Sequence, residues 1–371
     1  MPKVVISCLL IGISLGASPA QELFSVKAEG AAAGRGSKAR ASAVEQAETA
    51  AVIEALKPWA ASGDLSPLQP IIGSAPNYVH SVRELRCLPS ENDVRVEIEA
   101  KLYYAALRRD AARLLLPTLA YPPKVVVVLS EKVDGEDHIP AETMGEGEAA
   151  LVQSLREATF DVVDRSTVRD LYAEPELLAL LGSDSEMCGR FARANLADVV
   201  VLGCVEKTIE KERPEAVFSA VKAAVTLRVI RATDSQLMDT WTARSTVHSA
   251  TIDDGAVVAT RDACAKLRDG LIEAVVLAVA GASRNEDVIL TMARVGEPGR
   301  IEEIRNRLRE KTEVGDVEEL YCSSNLARFR VAYSEALRPL VDWVVSGKYS
   351  SFSLTLEKAV GREITVSLVT E

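Results

Sequence analysis

The residue types that most often do chemistry are few in this 371-residue chain and stand far apart. The three histidines, His80, His138 and His248, form no His-x-x-x-His pair and have no cysteine near them in sequence. Zinc sites need several such ligands at short spacing, so we predict no metal site and no bound cofactor. No G-x-S-x-G nucleophile motif occurs. We therefore predict no catalytic residues and a protein that is not an enzyme, with a Ser–His–Asp triad assembled by the fold as an open alternative.

The cysteines form no C-x-x-C pair. Cys8 lies in the first apolar run, and five others follow it: Cys87, Cys188, Cys204, Cys264 and Cys322. An odd count argues against a full disulfide framework. Cys204 lies in VVVLGCV and Cys264 on an apolar helical face, which predicts small buried side chains. One disulfide remains an open alternative, and the spacing does not select its pair.

A glycine-rich segment, Gly34-Arg35-Gly36-Ser37-Lys38, partly matches a phosphate-binding loop. That motif reads G-x-x-x-x-G-K-[ST], whereas here the hydroxyl residue precedes the lysine. The interpretation we favour is a loose turn over residues 30–36, with Ser37 capping the helix that follows.

The segment from Glu131 to Glu148 is rich in carboxylates. Its spacing does not match the D-x-[DN]-x-[DN]-G pattern of a calcium loop. We therefore expect a solvated acidic lid. Its acidic members are Glu131, Asp134, Glu136, Asp137, Glu142, Glu146 and Glu148.

Residues 1–20 have the layout of a secretory signal peptide. A basic residue, Lys3, precedes an apolar run from Val4 to Leu15 that is too short to span a membrane, and small residues lead to Ala20. We predict a mature amino terminus at Gln21, no transmembrane segment after it, and a periplasmic or secreted protein. The net charge of −11 disfavours nucleic acid as a partner.

The chain divides into three segments with different patterns, and these segments must position the residues named above. Together they predict a mixed α+β and α/β fold in three small domains. Residues 24–116 predict a β-α-β-β-α unit. Its helix ends near Leu56 and presents an inward stripe of Val44, Ala47, Ala51 and Ala55. In its clearest strand, 94–102, even positions are apolar and odd positions charged, which is typical of a sheet with one covered face.

The other two segments follow the stiff Tyr121-Pro122-Pro123 linker. Residues 124–281 open with the apolar run Val125–Leu129, which is typical of a strand covered on both faces. Their later pattern predicts an α/β layer domain with a mixed sheet and a hairpin turning at residues 233–235. Residues 284–371 predict a βαββαβ split unit of ferredoxin-like type.

The first segment resembles the amino-terminal domain of flagellar assembly protein T. The resemblance lies in AEGAAAGRGSKARASAVEQAETAAVIEAL, LQPIIGSAPNYVHSVRELRC and DVRVEIEAKLYYAAL. In VVVVLSE, FDVVDRSTV, ANLADVVVLGCV and VTLRVIRATDSQLMDTWTA, the second segment resembles the amino-terminal α/β domain of TolB, which is also seen in the curli secretion family. These resemblances imply domains that bind other proteins and do not catalyse reactions.

From these patterns we expect a secreted, non-enzymatic cell-envelope scaffold or assembly protein that acts by protein–protein docking, with a flagellar role as one open version. Its expected partners are envelope proteins, with further copies of the chain in a homo-oligomer or ring as an open possibility. The alternative is a regulatory binding module that activates a cell-wall synthase, or a part of an outer-membrane secretion assembly.

Overall fold

The computed structural model describes residues 23–60, 63–90, 92–119, 122–133, 136–140, 144–210, 219–281, 288–333, 337–360 and 363–370. The predicted signal peptide and the cleavage site at Gln21 lie outside these ranges. The described residues divide into two compact units, one within residues 1–55 and 69–110 and the other within residues 56–68 and 111–371. The expected boundaries at 24–116, 124–281 and 284–371 remain predictions, and the last two segments both lie within the second unit.

The first unit contains a three-stranded antiparallel sheet in the order β1-β3-β2. Its elements are β1 (Leu23–Ala33), α1 (Gly36–Leu56), α2 (Gln69–Ile72), β2 (Val79–Pro89), β3 (Asp93–Tyr103) and α3 (Tyr104–Leu115), the last of which continues into the second unit. The predicted β-α-β-β-α order is confirmed, with the four-residue helix α2 as an addition before β2. So is the alternation in β3, where every even position from 94 to 102 is buried.

The expected turn at residues 30–36 is wrong, because β1 continues through Gly30 to Ala33. Position 30 of this strand requires glycine for a steric reason. A Cβ atom at this position would lie 2.1 Å from the carbonyl oxygen of Ala43 and 2.5 Å from the amide nitrogen of Ala47, both in α1. Ser37 lies inside α1 and is not its cap.

The inward stripe of α1 consists of small residues spaced four apart, which lets the helix approach the sheet closely. The prediction that Val44 belongs to the stripe is wrong, because Val44 is only half-buried. The buried residue at this level of the helix is Ala43. The stripe comprises Ala39, Ala43, Ala47, Ala51 and Ala55, all buried.

Gly30→Ala is expected to destabilise the first unit by about 3 kcal/mol, because α1 must shift to admit one methyl group and overpacking at a close backbone contact is costly. Ala31→Val is the matched control, since the neighbouring side chain is exposed and a β-branched residue suits a strand. Hydrogen exchange of the β1 and α1 amides measures both effects. Equal protection in the two variants would contradict the close helix–sheet contact.

The second unit contains a mixed sheet that begins at the linker. Its order is β5-β4-β7-β8-β9, with β6 also paired to β4, and β4 is parallel to both β6 and β7. The elements are β4 (Lys124–Val133), β5 (Glu136–His138), α4 (Glu146–Glu157), β6 (Asp161–Val162), α5 (Arg165–Leu171), α6 (Glu174–Leu181), α7 (Ser185–Ala194), β7 (Val199–Glu210), β8 (Ser219–Arg231), β9 (Leu237–Ser249) and α8 (Ile252–Ala280).

Helices cover both faces of β4 and β7. Even residues of β4, Val126 and Val128, pack in one cluster with residues of α5, α6 and α7. The helices α4 and α8 pack together, α4 against β4 and α8 against β7, β8 and β9. Residues Val125–Leu129 are therefore buried on both sides, as their continuous apolar run predicts.

The last sheet has the order β11-β12-β10-β14-β13. Its elements are β10 (Val288–Ala293), α9 (Pro298–Arg309), β11 (Val314–Cys322), β12 (Leu326–Tyr333), α10 (Leu337–Val345), β13 (Phe352–Val360) and β14 (Glu363–Thr370). The expected βαββαβ order is present through β13. The place beside β10, however, belongs to β14, which runs parallel to β10 and displaces β13 to the edge.

Polar and aromatic contacts join this sheet to the helices α5 and α7 within the second unit. The guanidinium of Arg328, which is buried, donates to the carbonyl oxygen of Ala194. The Tyr321 hydroxyl donates to the carbonyl of Leu171 at 3.4 Å, and its ring meets that of Tyr172 edge-on. Burial raises the pKa of Tyr172 to about 12, so this hydroxyl stays protonated even at pH values where an ordinary tyrosine ionises.

Across the ranges that the structure describes, no helix combines the length and apolar character needed to cross a membrane.

Candidate functional site

The three histidines lie on three different strands. His80, on β2, places Nδ1 2.9 Å from the Tyr103 hydroxyl. His138, on β5, places Nδ1 2.9 Å from the carbonyl oxygen of Glu131. His248, on β9, is exposed. Within the described ranges, the structure brings no three His, Cys, Asp or Glu side chains together in a group that could hold a metal ion.

The five later cysteines are free thiols in the structure. Cys264 is buried, as predicted, and burial raises its pKa to about 12. Cys204 is only half-buried, which corrects its predicted burial. Burial also raises the pKa of Cys188. Cys322 is exposed overall, and its pKa is raised by the partial burial of its thiol and by the nearby Glu319 carboxylate. The thiols of Cys264, Cys188 and Cys322 are therefore poor sources of the reactive thiolate.

The feature of the α/β sheet most suited to a functional site is the carboxyl end of β4 and β7. From β4 the chain passes through α4 to β6 on one side, and then through α5, α6 and α7 to β7 on the other. The strand order thus reverses at β4. In open α/β sheets, ligands bind in the crevice outside the carboxyl ends of the strands at such a switch point.

Two oppositely charged side chains meet at this switch point. Glu131, near the end of β4, is 9% exposed, and its Oε2 atom lies 2.7 Å from Nζ of Lys207 on β7. Gly145, which precedes the first turn of α4, lies against the same carboxylate, and a Cβ there would be 2.3 Å from Oε1. A side chain at position 145 would therefore displace the carboxylate end of Glu131 from its present place.

A second buried ion pair lies beside the first. Glu148, in the first turn of α4, is 5% exposed, and its Oε2 atom lies 2.9 Å from Nη1 of Arg165, the first residue of α5. Burial raises the pKa of Glu148. The positive charges of Arg165 and Arg169 oppose this rise, and the negative charge of Glu131 adds to it. The desolvation of this carboxylate therefore outweighs the attraction of its two cations.

These charged groups also hold the chain segment 138–140 in place. Arg165 donates to the carbonyl of Pro140, and Arg169 donates to the carbonyls of Ile139 at 2.9 Å and Pro140 at 2.6 Å. The backbone amide of Ile139 donates to Glu174 at 2.8 Å. Charged side chains of α5 and α6 therefore hydrogen-bond to both the carbonyl and the amide groups of this segment.

Among the described residues at the switch point, the charged side chains are therefore paired with one another or bound to the backbone of the segment 138–140. Glu131 and Glu148 are buried and paired, so the expectation of a solvated acidic lid is wrong for both. Glu146 makes a more exposed pair with Arg261 at 2.9 Å. Asp134 and Glu142 lie outside the described residues, as do the side chains of Glu136 and Asp137.

No protein-family model matches this chain, and no curated protein matches it. Solved structures that overlap with it in part include lipoprotein GNA1162 from Neisseria meningitidis, with 14% identity, 37% of this chain and 91% of that chain covered, and a TM-score of 0.26. A PelC dodecamer from Paraburkholderia phytofirmans has 16% identity, coverages of 41% and 90%, and a TM-score of 0.25. The LpoB C-terminal domain from Salmonella enterica has 12% identity, coverages of 38% and 94%, and a TM-score of 0.22. Overlaps with TM-scores this low carry no argument about this chain.

Proposed function

We propose that this chain is an exported, non-enzymatic docking protein of a bacterial cell envelope. One observation carries the proposal: at the switch point, where an α/β fold usually binds its ligand, the charged side chains are paired with each other, as Glu131–Lys207 and Glu148–Arg165, and Arg165 also binds the segment 138–140. A site built in this way uses its charges to hold the fold. Export rests on the signal-peptide pattern of residues 1–20, and a flagellar role rests on the resemblance of residues 24–116.

A surface suited to docking lies on the first unit. α1 covers one face of its sheet, and the other face carries charges in cross-strand rows. One row runs from Lys27 through Glu99 to Arg83, and the Arg83–Glu99 pair measures 2.8 Å. Lys101 lies in the next row, between Ser25 and Ser81. Open, charged faces of this kind favour polar and reversible contacts between proteins.

Photo-crosslinking in the envelope tests this proposal. A photoreactive amino acid in place of Lys101, on the open face, is expected to trap one or a few defined envelope proteins. The matched control is the same amino acid in place of Asp269, which is exposed on α8 and lies outside the proposed surface. Mass spectrometry of the products decides: the same broad set of proteins from both positions would contradict docking through the open face.

A further inference from the structure

The edge strands of the sheets differ in how they are protected from pairing with another strand. An edge strand exposes unpaired backbone groups, and native proteins blunt such edges with bulges or with very short strands. In the described part of the chain, β5 has three residues and β6 has two. The longer edge strands β2, β9, β11 and β13 each carry at least one extra residue that shifts the register with the strand beside it.

β1 is the exception among these edges. Its pairing with β3 runs through eleven residues, from Leu23 opposite Tyr103 to Ala33 opposite Asp93, and the register has no shift or bulge. Its first two side chains are exposed although apolar, with Phe24 at 43%. A long, regular edge of this kind is a template for a further strand.

The sequence of β1 is complementary to itself when reversed about Ala28. In antiparallel pairing with a copy of the strand, Lys27 lies opposite Glu29 of the second copy, and Glu29 lies opposite its Lys27. The larger residues of the first half then meet small ones: Leu23 meets Ala33, Phe24 meets Ala32 and Val26 meets Gly30. Both Lys27 and Glu29 are exposed on the open face, where opposite charges directly across a strand pair stabilise the pairing.

We propose that β1 pairs antiparallel with β1 of a second copy of this chain, about a two-fold axis at Ala28. The two three-stranded sheets then form one continuous six-stranded sheet with both α1 helices on the same face. The proposal rests on the geometry of β1 and on its charge complementarity, and it stands independently of the docking function proposed above.

A charge exchange tests the pairing. Light scattering of the exported chain is expected to show a dimer. Lys27→Glu or Glu29→Lys alone places like charges opposite each other twice, and each is expected to weaken the dimer at least about tenfold. The double variant K27E/E29K restores both pairs and is expected to restore the dimer. A monomer at every concentration, or single variants that dimerise like the parent, would overturn the proposal; so would a different protein strand bound to β1.

A crosslink tests the register independently of charge. Ser25 lies opposite Ala31 of the second copy in the proposed pairing, and directly opposed residues lie within disulfide distance. A mixture of S25C chains and A31C chains is therefore expected to give a covalent dimer under mild oxidation, above the background from the native thiols. S25C chains alone are the control, because two Ser25 positions are six residues out of register. Equal yields from the mixture and the control would overturn the register.

Discussion

Arg165→Met is expected to lower the free energy of unfolding of the second unit by about 3–5 kcal/mol near pH 7, the usual cost of removing one partner of a buried ion pair. The side chains of Arg165 and Glu148 are 16% and 6% exposed, so little water replaces the lost contact. The substitution also removes a donor to the carbonyl of Pro140. Tryptophan fluorescence during urea unfolding measures the change, because Trp59, Trp241 and Trp343 all lie in the second unit.

The deficit of the Arg165→Met variant is expected to depend on pH. Burial already raises the pKa of Glu148 in the folded protein, and loss of Arg165 removes a charge that opposes this rise. A raised carboxyl pKa means that the folded state holds its proton more tightly than the unfolded state. The part of the cost that comes from the Glu148 charge is therefore absent below the ordinary glutamate pKa, about 4.3, grows as the pH rises from there to the raised folded-state pKa, and is constant above it. The difference between variant and parent should shrink from pH 7 towards pH 4.5.

Arg261→Met is the matched control for this experiment. Its partner, Glu146, lies in the same first turn of α4, but the two side chains are 63% and 36% exposed. Exposed pairs contribute about 0–1 kcal/mol, and we expect a small loss with little dependence on pH. Equal losses in the two variants, or a pH-independent loss in Arg165→Met, would contradict the buried pair.

The burial patterns of individual strands could be predicted from the sequence. In residues 94–102, charged and apolar positions alternate because one face meets α1 and the other meets water. The unbroken apolar run Val125–Leu129 reflects helices on both faces of β4. In each case the number of covered faces determines the pattern directly, so element type and burial followed from local residues.

Features that depend on long-range packing could not be predicted from the local sequence. Glycines and alanines near Gly30 suggested a turn, yet the same small residues serve a close helix–sheet contact. The place of β14 between β10 and β13 depends on strand pairing and leaves no local pattern.

The buried ion pairs left a partial signal. Glu148 stands four residues before Val152 and seven before Leu155, on the apolar stripe of α4, and that spacing indicates a buried carboxylate. Its cations, Arg165 and Arg169, come from a different helix. The fold brings these charges together, and sequence spacing alone does not pair them.

Ile98→Asp is expected to destabilise the first unit by about 4 kcal/mol or more. Ile98 is fully buried in the middle strand of its sheet, opposite Ala28 on β1 and Glu84 on β2. A carboxylate there loses its hydration and lies opposite another carboxylate, Glu84, which already pairs with Arg40 at 2.9 Å; such changes belong to the most costly class of single substitutions.

Glu97→Lys is the control for Ile98→Asp, because it changes charge at the neighbouring position on the open face. Glu97 lies between Glu29 and Arg86, so a lysine gains one attraction and loses another, and the expected change is about 0.5 kcal/mol or less. Hydrogen exchange of the β3 amides reports on the first unit in both variants. Loss of protection only in Ile98→Asp would confirm that the buried face of β3 stabilises this unit. Similar losses in both variants would contradict the alternation of buried and open positions in β3. The open charged face and the proposed β1 pairing both depend on that alternation.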